Sequence, residues 1–208
     1  MPAPLHDKKA HTHPTVDEYY DEIRRKLDEH PEYFSPEISA RYLITGVAGS
    51  GKTTLRKEFA KKGYITIDID EGYAEWRHTE TDEVLDYTPD DPAWHEVAGW
   101  VVKTDKLQEF FDTHPDEIVL VFGSFARIKT VVGMFDKIIL LEYPNSETAR
   151  ERIASREGGY GKHPHELARI LSYIEPYQQK MKSHGAISIS CTLPIAKSIE
   201  VIEQVIHE

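Results

Sequence analysis

The chain has 208 residues, is 39% hydrophobic and 29% charged, and carries a formal net charge of −11. That is apolar material for one core with an appendage, and the acid excess argues against broad nucleic-acid binding, which sets lysine and arginine against phosphate. No window approaches the roughly eighteen consecutive apolar residues of a membrane span, and the start, MPAPLHDKKAHTHP, lacks the apolar stretch of a secretory signal. A single cysteine, Cys191, excludes an internal disulfide, so the expectation is a cytoplasmic protein. Beside the apolar alternation AISIS, Cys191 reads as a buried structural thiol rather than a nucleophile.

Residues 1 to about 14 read as a tail. Its His11 and His13 have no cysteine or carboxylate at ligand spacing, so they read as solvated rather than metal-binding. Thr15 opens a helix on which Tyr19, Ile23 and Leu27 share one face, and Pro31 ends it. Residues 1–40 are thus a tail and helical extension, ahead of a core over 41–208. In the core, five β-rich runs alternate with helical text: RYLIT (41–45), YITID (64–68), EIVLVF (117–122), KIILLEY (137–143) and AISIS (186–190). Continuous apolar runs of this length suit strands buried on both faces of a parallel sheet. Between them, KTTLRKEFAKKG reads as a helix stopping at Gly63, and TDKLQEFFDTH as one capped by Thr104, with Leu107, Phe110 and Phe111 inward. SETARERIASRE begins with a capping residue, and PIAKSIEVIEQVI places Ile195, Ile199 and Ile202 at helical spacing. Strand alternating with helix is the α/β pattern.

Between the first run and the first helix stands GVAGSGKT, G-x-x-x-x-G-K-T from Gly46 to Thr53. Glycines let backbone N–H groups converge on one concavity, and the following helix adds its positive end; this is a phosphate-binding loop in its required context. Gly46, Ala48, Gly49, Ser50, Gly51, Lys52, Thr53 and Thr54 are the expected nucleotide contacts. Lys52 reaches the outer phosphates and the Thr53 hydroxyl ligates magnesium. No N-K-x-D motif follows, as guanine-specific switches usually have. In YITIDIDEGY, Asp68 and Asp70 close the second strand. Residues i and i+2 of an extended segment point the same way, so both carboxylates face one crevice, one toward magnesium and one toward an acceptor hydroxyl. A solvated pair of turn aspartates is the bland alternative.

These residues resemble the small P-loop kinases of the shikimate kinase and adenylate kinase-like group. GYITIDIDEGYAEW, VFGSFAR, FDKIILLE and YGKHPHEL look more closely like an uncharacterised family labelled AAA-family ATPase or shikimate kinase-like. The resemblance implies a three-layer α/β P-loop fold with a five-stranded parallel sheet in the order 2-3-1-4-5, bound ATP with magnesium, and a mobile lid. It implies Asp68 near the metal, Asp70 at the acceptor, and Gly123 and Ser124 in an acceptor loop. The lid falls in 152–166, where Arg152 and Arg156 sit four apart beside Gly158, Gly159 and Gly161. They stand either over the transferring phosphoryl or in surface ion pairs, with Lys162 and His163 adding contacts. All three tryptophans, Trp76, Trp94 and Trp100, fall in the insertion 71–116 with Tyr73, Tyr87 and Arg77. Trp76 and Arg77 belong to an acceptor site, or the aromatics form a satellite core. The leading expectation is a phosphotransferase acting on a small metabolite or nucleotide-like acceptor. Its rivals are a switch or slow ATPase that works through a protein partner, and a nucleic-acid end kinase that would need a local basic groove.

Overall fold

In the computed structural model, which describes residues 39–88, 90–155, 161 and 163–207, the apolar runs form strands. The expected N-terminal helix, Arg156 and Lys162 lie outside the described residues. β1 (Ala40–Thr45), β2 (Ile65–Asp68), β5 (Ile118–Phe122), β6 (Lys137–Glu142) and β7 (Ile187–Ser190) make one sheet in which every pairing is parallel. β3 (Ala74–His78) and β4 (Ala98–Val102) form a separate antiparallel hairpin. The order β2-β5-β1-β6-β7 reduces to 2-3-1-4-5 once this hairpin, which sequence reading did not anticipate, is left out.

β1 sits between two neighbours, Leu43 pairing with Val121 of β5 and Ile138 of β6. Leu43, Ile44, Leu120, Val121, Phe122, Ile139 and Leu140 are fully buried. Each such side chain stabilises the fold by about 1.5–3 kcal/mol relative to exposure. The helices are α1 (Lys52–Lys61), α2 (Pro92–Val97), α3 (Thr104–Asp112), α4 (Ser146–Ser155), α5 (Pro164–Ser183) and α6 (Ile195–His207). α1 buries Leu55 and Phe59 and gives way to Gly63 at φ 92°, the left-handed residue expected there. α3 starts on Thr104 itself with Lys103 as N-cap, so Thr104 is not the cap, although Leu107 and Phe111 are buried as their spacing predicts. At α4 the capping oxygen is Asn145 Oδ1, which accepts from the Thr148 N–H at 2.9 Å, one residue before the serine that sequence reading chose. In α6, Ile202 is buried but Ile195 is 37% exposed, because the helix rests on Val205 and Ile206 instead.

One buried chain of hydroxyls ties α5 to the sheet beneath the loop. Thr45 Oγ1 donates to the Gly123 carbonyl at 2.7 Å, which leaves Tyr177 as donor to Thr45 across 2.5 Å. Burial pushes the Tyr177 hydroxyl well above its usual range, so it stays protonated and able to donate. Thr45→Val keeps the shape and strands both partners, so it should destabilise the protein by about 1–3 kcal/mol. Urea unfolding followed by circular dichroism measures this, and an unchanged midpoint would mean that the chain of hydroxyls contributes nothing.

Candidate functional site

The loop after β1 is shaped by close approach. A Cβ on Gly46 would meet the Leu141 carbonyl oxygen and Ser50 Oγ, each at 2.7 Å. Gly49, at φ 80°, would drive one to 2.8 Å from Tyr143 Oη. The loop wraps into α1 through Gly51, its N-cap, with no acidic side chain in the first turn to offset the positive helix end. Lys52 Nζ folds into the concavity and donates to the carbonyls of Gly46 at 2.5 Å and Val47 at 3.1 Å. Ser50 is 2% exposed and its Oγ has no hydrogen-bond partner among the described residues. A cradle too tight for a Cβ, a cation turned inward and an orphaned hydroxyl fit a phosphate group.

A cavity of about 770 Å³ opens from this loop. Ala48, Gly49, Gly51, Lys52, Thr53 and Thr54 line one end; Asp70, Trp76, Trp94 and Trp100 line another part, with Ser124 between β5 and the hairpin. Thus the structure brings together the loop, Asp70, Trp76 and Ser124. It does not bring in Arg77, which alternates to the other face of β3 and donates to Glu75 Oε1 at 2.8 Å and the Asp82 carbonyl at 2.9 Å. Gly123 is also outside the cavity lining: its carbonyl takes the Thr45 hydroxyl, and a Cβ there would press on Ile69 at 2.8 Å.

Asp68 and Asp70 part company. β2 ends at Asp68 and the chain turns, with Ile69 fully buried, so the i, i+2 alternation does not carry through. Asp70 faces the cavity and accepts from Trp100 Nε1 at 2.8 Å. Asp68 accepts from the Asp70 N–H at 3.2 Å and lies 3.7 Å from Arg56 Nε. Arg56 is itself clamped by Glu71 through bonds of 3.0 and 2.6 Å. Burial pushes the Asp68 carboxyl up, more than the Asp70 N–H and Arg56 bring it down. An added cation would relieve that cost.

Arg152 stands apart from the large cavity. Its Nη1 donates to the Cys191 carbonyl at 2.8 Å, and it lines a smaller hollow of about 300 Å³ with Gly49, Ser50, Thr54 and Leu193. Cys191 itself is buried, as its neighbourhood predicts, and burial pushes its thiol up. Sequence reading missed Arg169 and Tyr173, which line the large cavity from α5, and His95. A signal existed: Arg169, Tyr173 and Tyr177 repeat every four residues on one helical face.

No family model and no curated protein matches the chain. Solved structures do. A shikimate kinase from Acinetobacter baumannii in complex with shikimate is 15% identical, with a TM-score of 0.53 over 85% of this chain and 96% of that one. A sugar kinase from Janibacter sp. HTCC2649 gives 19% identity and 0.49 over 79% and 92%. A deoxyadenosine kinase from M. mycoides with bound dATP gives 16% and 0.48 over 81% and 100%. The fold is therefore the α/β P-loop fold of the shikimate kinase.

The raised Asp68 carboxyl sets a pH test. A folded pKa above the unfolded value means that stability is held at low pH and lost as pH rises through the carboxylate range. Asp68→Asn should therefore raise the metal-free melting temperature at pH 7, with the gain shrinking as pH falls toward about 4. Melting curves of both proteins across that range decide it; a gain independent of pH would show that charge is not the cause.

Proposed function

We propose that the chain is a phosphotransferase that moves the γ-phosphoryl of ATP to a hydroxyl of a small acceptor. The observation that carries this is one cavity lined at one end by the phosphate loop and elsewhere by an aspartate among tryptophans. Lys52 and the loop amides would hold the outer phosphates, Ser50 Oγ adding its unused hydrogen bond. Thr53, with Asp68, would hold magnesium, which screens the phosphate charge when bound. Asp70, oriented by the Trp100 indole N–H, would position the acceptor hydroxyl and take up its proton. Arg152, beside the loop and the Cys191 turn, suits a contact to the nucleotide. Arg156 keeps its expected role as a lid arginine.

Two features support a class of acceptor. Trp94 is 8% exposed, and its indole N–H has no hydrogen-bond partner among the described residues. Arg169 is partly buried at the cavity, donates only to the Ala98 carbonyl at 3.2 Å, and has no carboxylate ion-pair partner among the described residues. A partly buried guanidinium without an anion favours a ligand that brings one. Arg169 and Asp70 are anchored two residues apart on β4, at Ala98 and Trp100. The acceptor read from this is a ring-bearing alcohol with an anionic substituent, its ring against Trp76 and Trp100 and its anion on Arg169.

The test is ADP release from ATP and magnesium over a panel of hydroxylated sugars, hydroxy acids and nucleosides. An anionic ring alcohol should raise turnover above the ATP-only rate; steady hydrolysis that no acceptor changes would favour a switch. Lys52→Ala should abolish turnover with the fold intact, losing a charge-assisted contact of about 1.5–3 kcal/mol. Arg169→Gln should raise the acceptor KM on the order of 10- to 100-fold while leaving nucleotide affinity unchanged. Equal losses for nucleotide and acceptor would remove Arg169 from the acceptor site.

A further inference from the structure

His95, which lines the tryptophan cavity, belongs to a second set of chemically able residues. His95 belongs to α2, while His165 and Glu166 lie in the first turn of α5. One ligand atom from each, an imidazole nitrogen or a carboxylate oxygen, lies within 4.8 Å of the other two. The rings of His95 and His165 stand 5.0 Å apart at 54°, so they converge rather than stack flat. His95 is 6% exposed and Glu166 1%, whereas His165 is exposed and closes the group toward solvent.

Glu166 is held as a ligand would be. Oε1 accepts from Tyr87 Oη at 2.9 Å, and Oε2 accepts from the N–H groups of Gly161 at 2.8 Å and His163 at 3.3 Å. No lysine or arginine pairs with Glu166 among the described residues. Because the carboxylate already takes the N–H groups at the start of α5, a cation here meets the carboxylate and not the positive helix end.

We propose that His95, His165 and Glu166 form a transition-metal site, suited first to zinc. Two neutral imidazoles and one carboxylate are a known zinc donor set, with water in the fourth position. The Tyr87 hydroxyl and the Gly161 and His163 amides orient the carboxylate from outside the ligand shell. Tetrahedral zinc with bonds near 2.05 Å needs ligand atoms roughly 3.3 Å apart, so the present separations close with modest rotation of the two rings. Two borderline imidazole nitrogens beside one hard carboxylate oxygen favour zinc, cobalt or nickel over magnesium. Occupancy would fasten α2, which carries Trp94, to the helix turn just before Arg169. The site stands independently of the phosphoryl-transfer reading, and the metal does no chemistry in it.

The experiment takes the full chain, strips it with chelator and dialyses it against zinc, with metal content measured by mass spectrometry. One zinc per chain is expected, kept in a His11→Ala/His13→Ala variant of the N-terminal tail and weakened at least tenfold in His95→Ala and in His165→Ala. Because Trp94 packs on the His95 ring at 5.0 Å, cobalt should also quench tryptophan fluorescence with a midpoint that His165→Ala shifts. The His165→Ala variant guards against misfolding, since its side chain is exposed where Glu166 is buried. A chain that takes up no stoichiometric zinc, one that loses it with the tail histidines, or one that keeps it in His95→Ala overturns the site.

Discussion

Parallel pairing of β1 between β5 and β6 is the constraint on which the rest depends. It buries β1 on both faces and both edges, so the strand has no freedom until its last residue. Parallel strands also bring their carboxyl ends to one edge of the sheet. The glycine loop after Thr45, the turn after Asp68 and the Gly123–Ala126 segment therefore open onto the same place. The loop's shape follows from this crowding: Leu141 of β6 stands where a Gly46 side chain would go. The phosphate cradle is what remains when a strand buried on all sides must turn into a helix without room for side chains.

The insertion after β2 turns that edge into an enclosed cavity. Trp76 of β3 faces Trp100 of β4 in the hairpin register, and Trp94 reaches Trp76 from α2, the two rings 4.8 Å apart. The aromatics are therefore a satellite core and a cavity wall at once, and sequence reading had held these as alternatives. The same indole settles the two aspartates. Trp100 Nε1 draws Asp70 toward the cavity, while Arg56, anchored by Glu71, keeps Asp68 beside α1.

Much of this was legible in the chain. Apolar runs without alternation marked the buried strands, and three glycines with Lys52 marked the loop, because both signals come from local backbone demands. The hairpin was not legible: AEWRH and AGWVV pair only because a short helix returns the chain, and neither run alternates cleanly. Arg77 was chosen as the cation beside the tryptophans because it adjoins Trp76. Alternation on a strand sends adjacent residues to opposite faces, and the arginine that lines the cavity is Arg169, from a helix some ninety residues later in sequence. Spacing within one element is readable from sequence; which two elements meet is a tertiary fact.

The electrostatics of the cavity explain why these particular groups belong to a site and not to the core. A core satisfies its polar atoms, since each orphan costs about 1–3 kcal/mol. Among the described residues, Trp94 Nε1 on the cavity and Ser50 Oγ in the loop beside it are buried without partners, Arg169 has no carboxylate, and Asp68 at the end of β2 is held in a setting that disfavours its charge. Meanwhile Lys52 satisfies itself on the loop's own carbonyls. In the proposed function a phosphate would replace those carbonyls and meet the ammonium with an opposite charge. In the proposed function, the polar deficits at the loop and beside β4 suit a ligand with anionic groups at both ends. Such deficits lower stability in the empty state and return it on binding, which is how a folded scaffold gains selectivity at a site it could otherwise have packed shut.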